Sequence, residues 1–273
     1  MVCVKSLHCC KSDYSNSCCK SINIIMSNWF KKYSYTNNPK LRAFCFPYAG
    51  GSANIFSGWS DHLPSNIDLF AIQAPGRGRR FGEKAIGCLE TKVKTLFKEI
   101  IPYADVPFIF IGHSNGALVA FELARELQKS GNNNLKHIVL SAKRAPQLSD
   151  IRPPIHKLPQ QEFIARLREY EFTPEEVLAN EDFMEAFSPM LRADFSISET
   201  YHYIDTPKLE SNATIFWGKH DKDVPFHDIL QWKSVIEGHI DFVEFAEGHF
   251  FIHKQEQEFL KNINAIISQL SYD

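Results

Sequence analysis

From residue 41 onward the chain alternates between short apolar runs and longer stretches of helical period. The runs at 42–46, 69–73, 108–111, 137–141, 213–217 and 241–245 each have about the length that a buried strand needs, and Gly and Pro punctuate them. Between the second and third runs, Val93, Leu96, Phe97, Ile100 and Ile101 fall at helical spacing; after the third, Leu118, Phe121, Leu123 and Leu127 do the same. Strand and helix signals in this order predict βα units around a mostly parallel sheet, an α/β protein with its sheet flanked by helices.

The alternation stops at about 151 and resumes after 207. The stretch between reads as consecutive helices without a strand signal, so a helical insertion, a lid on the sheet domain, is expected there. Within it, Thr173-Pro174-Glu175-Glu176 predicts a helix start, with Thr173 as N-cap, Pro174 at the first helical position and Glu176 closing a capping box. Phe183, Met184, Phe187, Met190, Leu191 and Phe195 then form an apolar stripe, which either packs the insertion onto the core or lines a pocket beneath it.

No Gly/Ser-rich or Pro-rich linker divides the 273 residues, and a single domain over 26–273 that carries the insertion accounts for them. Five of the seven cysteines (Cys3, Cys9, Cys10, Cys18 and Cys19) crowd residues 1–25. That segment lacks the long apolar stretch and small-residue cleavage site of a secretory signal. Its Cys9-Cys10 and Cys18-Cys19 pairs lack the spacing of a zinc site, and no acylation context surrounds them. Met26-Ser27-Asn28-Trp29-Phe30 resembles a natural start, so residues 1–25 are expected to be an extension or a disordered tail. Cys45 and Cys88 alone make no disulfide framework, and a cytoplasmic location follows. A formal net charge of −2 gives no basic footprint for nucleic acid or a membrane surface. Charges and prolines also interrupt every run before the roughly 18–20 apolar residues that cross a bilayer. A soluble monomer without metal or cofactor is expected.

The third apolar run ends in Gly112-His113-Ser114-Asn115-Gly116, which fits G-x-S-x-G: two glycines let a strand turn sharply into a helix with the serine at the apex. The motif alone is weak, since chance supplies it in about one chain in ten of this length. Its context is specific, because a buried-type strand precedes it and an apolar-faced helix follows. A serine hydroxyl is a poor nucleophile near neutral pH, so an imidazole must take its proton and a carboxylate must orient that imidazole. In the α/β-hydrolase fold the chain order is serine, acid, histidine. Asp221 and Asp223 both follow the fifth run; Asp221 is the candidate acid, and either can be a turn-forming residue only. His249 follows the sixth run in Glu247-Gly248-His249-Phe250-Phe251 and is the candidate base, with His253 its rival one helical turn on. A His249/His253 metal pair has no third ligand. Negative charge developing on a carbonyl oxygen requires backbone N–H donors beside the serine. Asn115 supplies one by position. Ala49, with Tyr48 second, supplies the other from Phe46-Pro47-Tyr48-Ala49-Gly50-Gly51, where small residues let backbone approach a substrate.

These segments, with Pro75-Gly76-Arg77-Gly78-Arg79-Arg80, Met190-Leu191-Arg192-Ala193-Asp194-Phe195 and Glu199-Thr200-Tyr201, resemble the type II thioesterases that accompany nonribosomal peptide and polyketide synthetases. The resemblance spans roughly residues 29–270. It implies Ser114 as nucleophile, His249 as base and Asp221 as acid, the last in a G-x-x-D-x-x-V pattern of Gly218, Asp221 and Val224. It further implies hydrolysis of acyl groups from the phosphopantetheine thiol of carrier proteins, with the insertion as lid over the acyl chain. Arg77 and Arg80 are then either phosphate contacts or braces for their own loop. The chain departs from the family at Asn115, commonly Met; at Arg79, commonly acidic; at Glu171-Phe172, commonly small; and at Ala142, commonly Gly. A carboxylesterase or lipase, a medium- or long-chain fatty acyl carrier thioesterase, and a non-catalytic binding protein are the competing readings.

Overall fold

β2 (Leu41–Phe46), β3 (Ile67–Ile72), β4 (Phe108–His113), β5 (Leu135–Ser141), β6 (Asn212–Gly218) and β7 (Ile240–Phe245) coincide with the six apolar runs. They pair in parallel in the order β3-β2-β4-β5-β6-β7 within a computed structural model that describes residues 27–148, 152–170 and 173–270. The expectations for 1–25 lie outside those residues. A further strand, β1 (Phe30–Lys32), pairs antiparallel with β3 and has no counterpart in the sequence pattern. Three residues with a single buried side chain carry no readable periodicity, and pairing with β3 alone makes them a strand.

The pleat sends alternate residues to different layers. Phe44, Phe46, Phe70, Phe108 and Phe110 face one layer, where α1 (Leu89–Ile100) and α2 (Asn115–Lys129) cover them with Val93, Leu96, Ile100, Leu118, Phe121 and Leu127. Ala43, Cys45, Leu69, Ile109, Ile111 and Val139 face the other layer. Ile101 does not join the helical face; it lies past the end of α1 and is exposed.

Between β5 and β6 stand α3 (Gln160–Glu169), α4 (Glu175–Leu178) and α5 (Glu181–Glu199), with no strand among the described residues there. They enclose a small core of Ile155, Phe163, Leu167, Leu178 and Met184. Residues 200–211 then return to β6 without a helix. The capping expectation fails: Pro174, at ψ 143°, stays extended, its carbonyl accepts from Val177 and Leu178, and Thr173 falls one position too early to cap α4. A side-chain cap forms instead on α5, where Asn180 accepts from the Phe183 N–H. After β6 and β7 come the single turns α6 (Phe226–Ile229) and α7 (Phe251–Lys254). The closing helix α8 (Glu256–Gln269) buries Phe259, Leu260, Ile263 and Ile267 against the second layer.

Candidate active site

Ser114 sits between β4 and α2 with φ 55° and ψ −118°, a strained conformation that lifts its hydroxyl out of the turn. The two motif glycines are there because backbone passes too close for a side chain: a Cβ on Gly112 would lie 2.5 Å from the Gly116 carbonyl oxygen, and one on Gly116 would lie 2.1 Å from that of Phe46.

The loops after β6 and β7 bring Asp221 and His249 to the same edge. Ser114 Oγ donates to His249 Nε2 at 2.9 Å, and His249 Nδ1 donates to Asp221 Oδ2 at 2.6 Å, since a carboxylate only accepts. Asp221 is almost wholly enclosed, while the His249 ring keeps a quarter of its surface open. Asp223 is elsewhere engaged: it accepts from Arg152 Nε at 2.6 Å, and its own N–H donates to Asp221 Oδ1 at 3.0 Å. His253 turns to the Tyr48 hydroxyl, 2.8 Å from its Nε2, and does not line the cavity at Ser114.

One residue with a place in this arrangement was not singled out by the sequence. His113 is buried behind His249; its Nε2 donates to the His249 carbonyl at 2.9 Å and its Nδ1 accepts from the Ser141 hydroxyl at 2.9 Å. Burial, reinforced by the neighbouring His249 ring, holds it well below the ordinary histidine range, so it is a neutral brace. The only signal for it was its place inside G-x-S-x-G.

The N–H groups of Asn115 and Ala49 have no backbone or side-chain acceptor among the described residues, and both residues line the cavity over Ser114. That cavity has a volume of about 170 Å³. Leu191 and Phe195 of α5 form part of its wall, with Leu167, Tyr170, Ala142 and Val224. The α5 stripe therefore divides: Met184 and Met190 are buried, Leu191 and Phe195 face the cavity, and Phe183 stacks on Phe187 at 3.9 Å away from it. Ala142 holds φ 50°, the conformation that suits the glycine common in this position of the resembling family.

Arg77 and Arg80 are both buried braces. Arg77 forms a bidentate pair with Asp194 (2.7 and 2.8 Å) and donates to the Gly51 carbonyl. Arg80 donates to the Gln73 carbonyl and Glu83, and lies over the Trp29 ring. Among the described residues no group of three His, Cys, Asp or Glu is placed to hold a metal, and no helix is long and apolar enough to cross a membrane.

The model of the thioesterase domain family matches residues 42–267. Gramicidin S biosynthesis protein GrsT of Aneurinibacillus migulanus is 36% identical over 236 residues, covering 86% of this chain and 92% of that one. Among solved structures, the type II thioesterase BorB from the borrelidin biosynthetic cluster superposes with a TM-score of 0.77 at 30% identity, covering 86% of this chain and 96% of BorB. The type II thioesterase YbtT from the yersiniabactin pathway does so with a TM-score of 0.77 at 28% identity, over the same shares.

Proposed function

Since the chain belongs to the thioesterase family, we propose that it is a serine hydrolase that frees acyl groups from the phosphopantetheine thiol of carrier proteins, clearing misprimed or stalled units in nonribosomal peptide or polyketide synthesis. The observation that carries this reading is the continuous relay Ser114–His249–Asp221 at the mouth of the cavity. His249 Nε2 takes the proton of Ser114 as Oγ adds to the thioester carbonyl carbon. The oxyanion is received by the N–H groups of Asn115 and Ala49. The tetrahedral adduct collapses, the C–S bond breaks, and the leaving thiol takes the proton back from His249. Water, deprotonated by the same nitrogen, then adds to the acyl-enzyme and releases the acid and Ser114. Asp221 holds His249 in the Nδ1–H tautomer and stabilises the imidazolium. Every proton is handled by a side chain, so the route calls on no cofactor.

Leu167, Tyr170, Leu191 and Phe195 give the acyl group an apolar wall, and the cavity is partly open to solvent, so its volume sets no limit on chain length; a preference for short acyl and aminoacyl groups follows from the editing role. The reading is tested by turnover of matched short-chain thioesters and oxygen esters, with Ser114→Ala as control. Faster cleavage of the thioester, abolished in the control, is expected; cleavage of oxygen esters alone would make the protein a carboxylesterase.

A further inference from the structure

Asp194 lies at the centre of a buried network that the relay does not use. It belongs to α5, between Leu191 and Phe195 of the cavity wall, yet its own side chain points away from the cavity and is 2% exposed. Its Oδ2 accepts from the Gly50 N–H at 2.8 Å and from Arg77 at 2.7 Å, and its Oδ1 accepts from Arg77 at 2.8 Å. Lys92 Nζ of α1 stands 3.6 Å from the same oxygen. Burial alone would raise the Asp194 carboxyl, but the facing Arg77 and Lys92 charges reverse this and hold it below its ordinary value; burial in turn draws the Lys92 ammonium down to about 8. Asp194 is thus an anion held between two cations.

What this anion grips is the strand of backbone that bears Ala49. Asp194 holds the Gly50 N–H, and Arg77, fixed by Asp194, holds the Gly51 carbonyl at 2.9 Å. Gly51 N–H donates to the Tyr48 carbonyl at 3.0 Å. The Tyr48 carbonyl and the Ala49 N–H share one planar trans peptide, so fixing the first directs the second the opposite way. The other donor residue is tied to the same position: Asn115 Nδ2 donates to the Asp194 backbone carbonyl at 2.6 Å. A methionine at 115, common among the resembling thioesterases, has no donor for this bond.

We propose that Asp194 is the positioning residue of the oxyanion site, holding the Ala49 and Asn115 amides in register from α5, so that the helix walling the acyl cavity also sets the hole. The proposal rests on the serine-hydrolase reading but not on the identity of the acyl donor. Its test therefore uses a p-nitrophenyl ester of a short acid, together with an alkylboronic acid, which becomes an oxyanion mimic on Ser114, and a non-hydrolysable thioether analogue of the substrate, which does not.

Asp194→Asn should lower kcat about 100-fold, the order found when one oxyanion donor is lost, with KM within about twofold. Boronate affinity should fall by a similar factor while thioether affinity stays unchanged. Because the single change leaves two buried cations facing a neutral group, the double variant Asp194→Asn/Lys92→Met, which restores the buried net charge of the wild type, provides the same reading should the single variant fail to fold. Unaltered kcat and boronate affinity in a folded variant would overturn the proposal. A parallel loss of boronate and thioether affinity would also overturn it, by showing general collapse of the site. Absence of wild-type ester turnover and boronate binding would instead defeat the serine-hydrolase reading beneath it.

Discussion

Asp221 and Asp223 stand two positions apart on one loop, and both satisfy the chain order of serine, acid and histidine. Their surroundings separate them: Asp221 is enclosed and faces His249, whereas Asp223 is paired with the partly exposed Arg152. Asp221→Asn should lower kcat by about 10³–10⁴-fold, because the amide no longer enforces the Nδ1–H tautomer or balances the imidazolium. Asp223→Asn should cost less than about fivefold, since a partly exposed ion pair is worth under about 1 kcal/mol. Steady-state turnover of the two purified variants distinguishes them, and equal losses would remove Asp221 from its role. Ser114 and His249 were legible because each sits in a short motif directly after an apolar run. The contacts of Asp194 were not, although it stands in a segment that carries the family resemblance, because its partners Gly50, Arg77 and Lys92 lie more than a hundred positions away.

Among the elements, inner strands such as β3 and β4 were readable because burial on both faces leaves a near-continuous apolar run, whereas β7, half-buried at the end of the sheet, was readable from Phe242, Val243 and Phe245 between charged residues. β1 and the start of α4 were not. The first depends on a neighbour distant in sequence, and the second on the extended backbone of Pro174. A polar residue inside such a run yields a pH prediction. His137 of β5 is buried and meets the Thr214 hydroxyl of β6 at 2.8 Å, and burial pulls its pKa down to about 4. As pH falls from about 6.5, the unfolded chain takes up a proton that the folded sheet refuses until about 4. The contribution is therefore fully present above 6.5 and is lost as pH falls through that window. The loss between pH 7 and pH 4.5 should be roughly 2–3 kcal/mol. Urea unfolding of wild type and His137→Gln at the two pH values measures it: the variant should lose less stability on acidification, and equal losses would show that His137 already carries its charge in the fold.

Across the whole molecule, residues from Ala49 to His249 converge because a parallel sheet delivers the ends of β2, β4, β6 and β7 to one edge, where loops are free to carry chemistry. The insertion after β5 lies over that edge, with Leu191 and Phe195 walling the cavity. Chain order alone foretold which loops would meet; the cavity's walls and the grip of α5 on the backbone of Gly50 and Gly51 depend on packing between segments that no local pattern links. The proposed function is release, at this edge, of short acyl groups from a carrier-bound thiol. The experiment is single-turnover release from a phosphopantetheinylated carrier protein loaded with acetyl, aminoacyl or palmitoyl groups, with Ser114→Ala and matched oxygen esters alongside. Acetyl and aminoacyl thioesters should be cleaved much faster than palmitoyl thioesters or the oxygen esters, and Ser114→Ala should release none. Preference for palmitoyl, or cleavage of the oxygen esters alone, would contradict it.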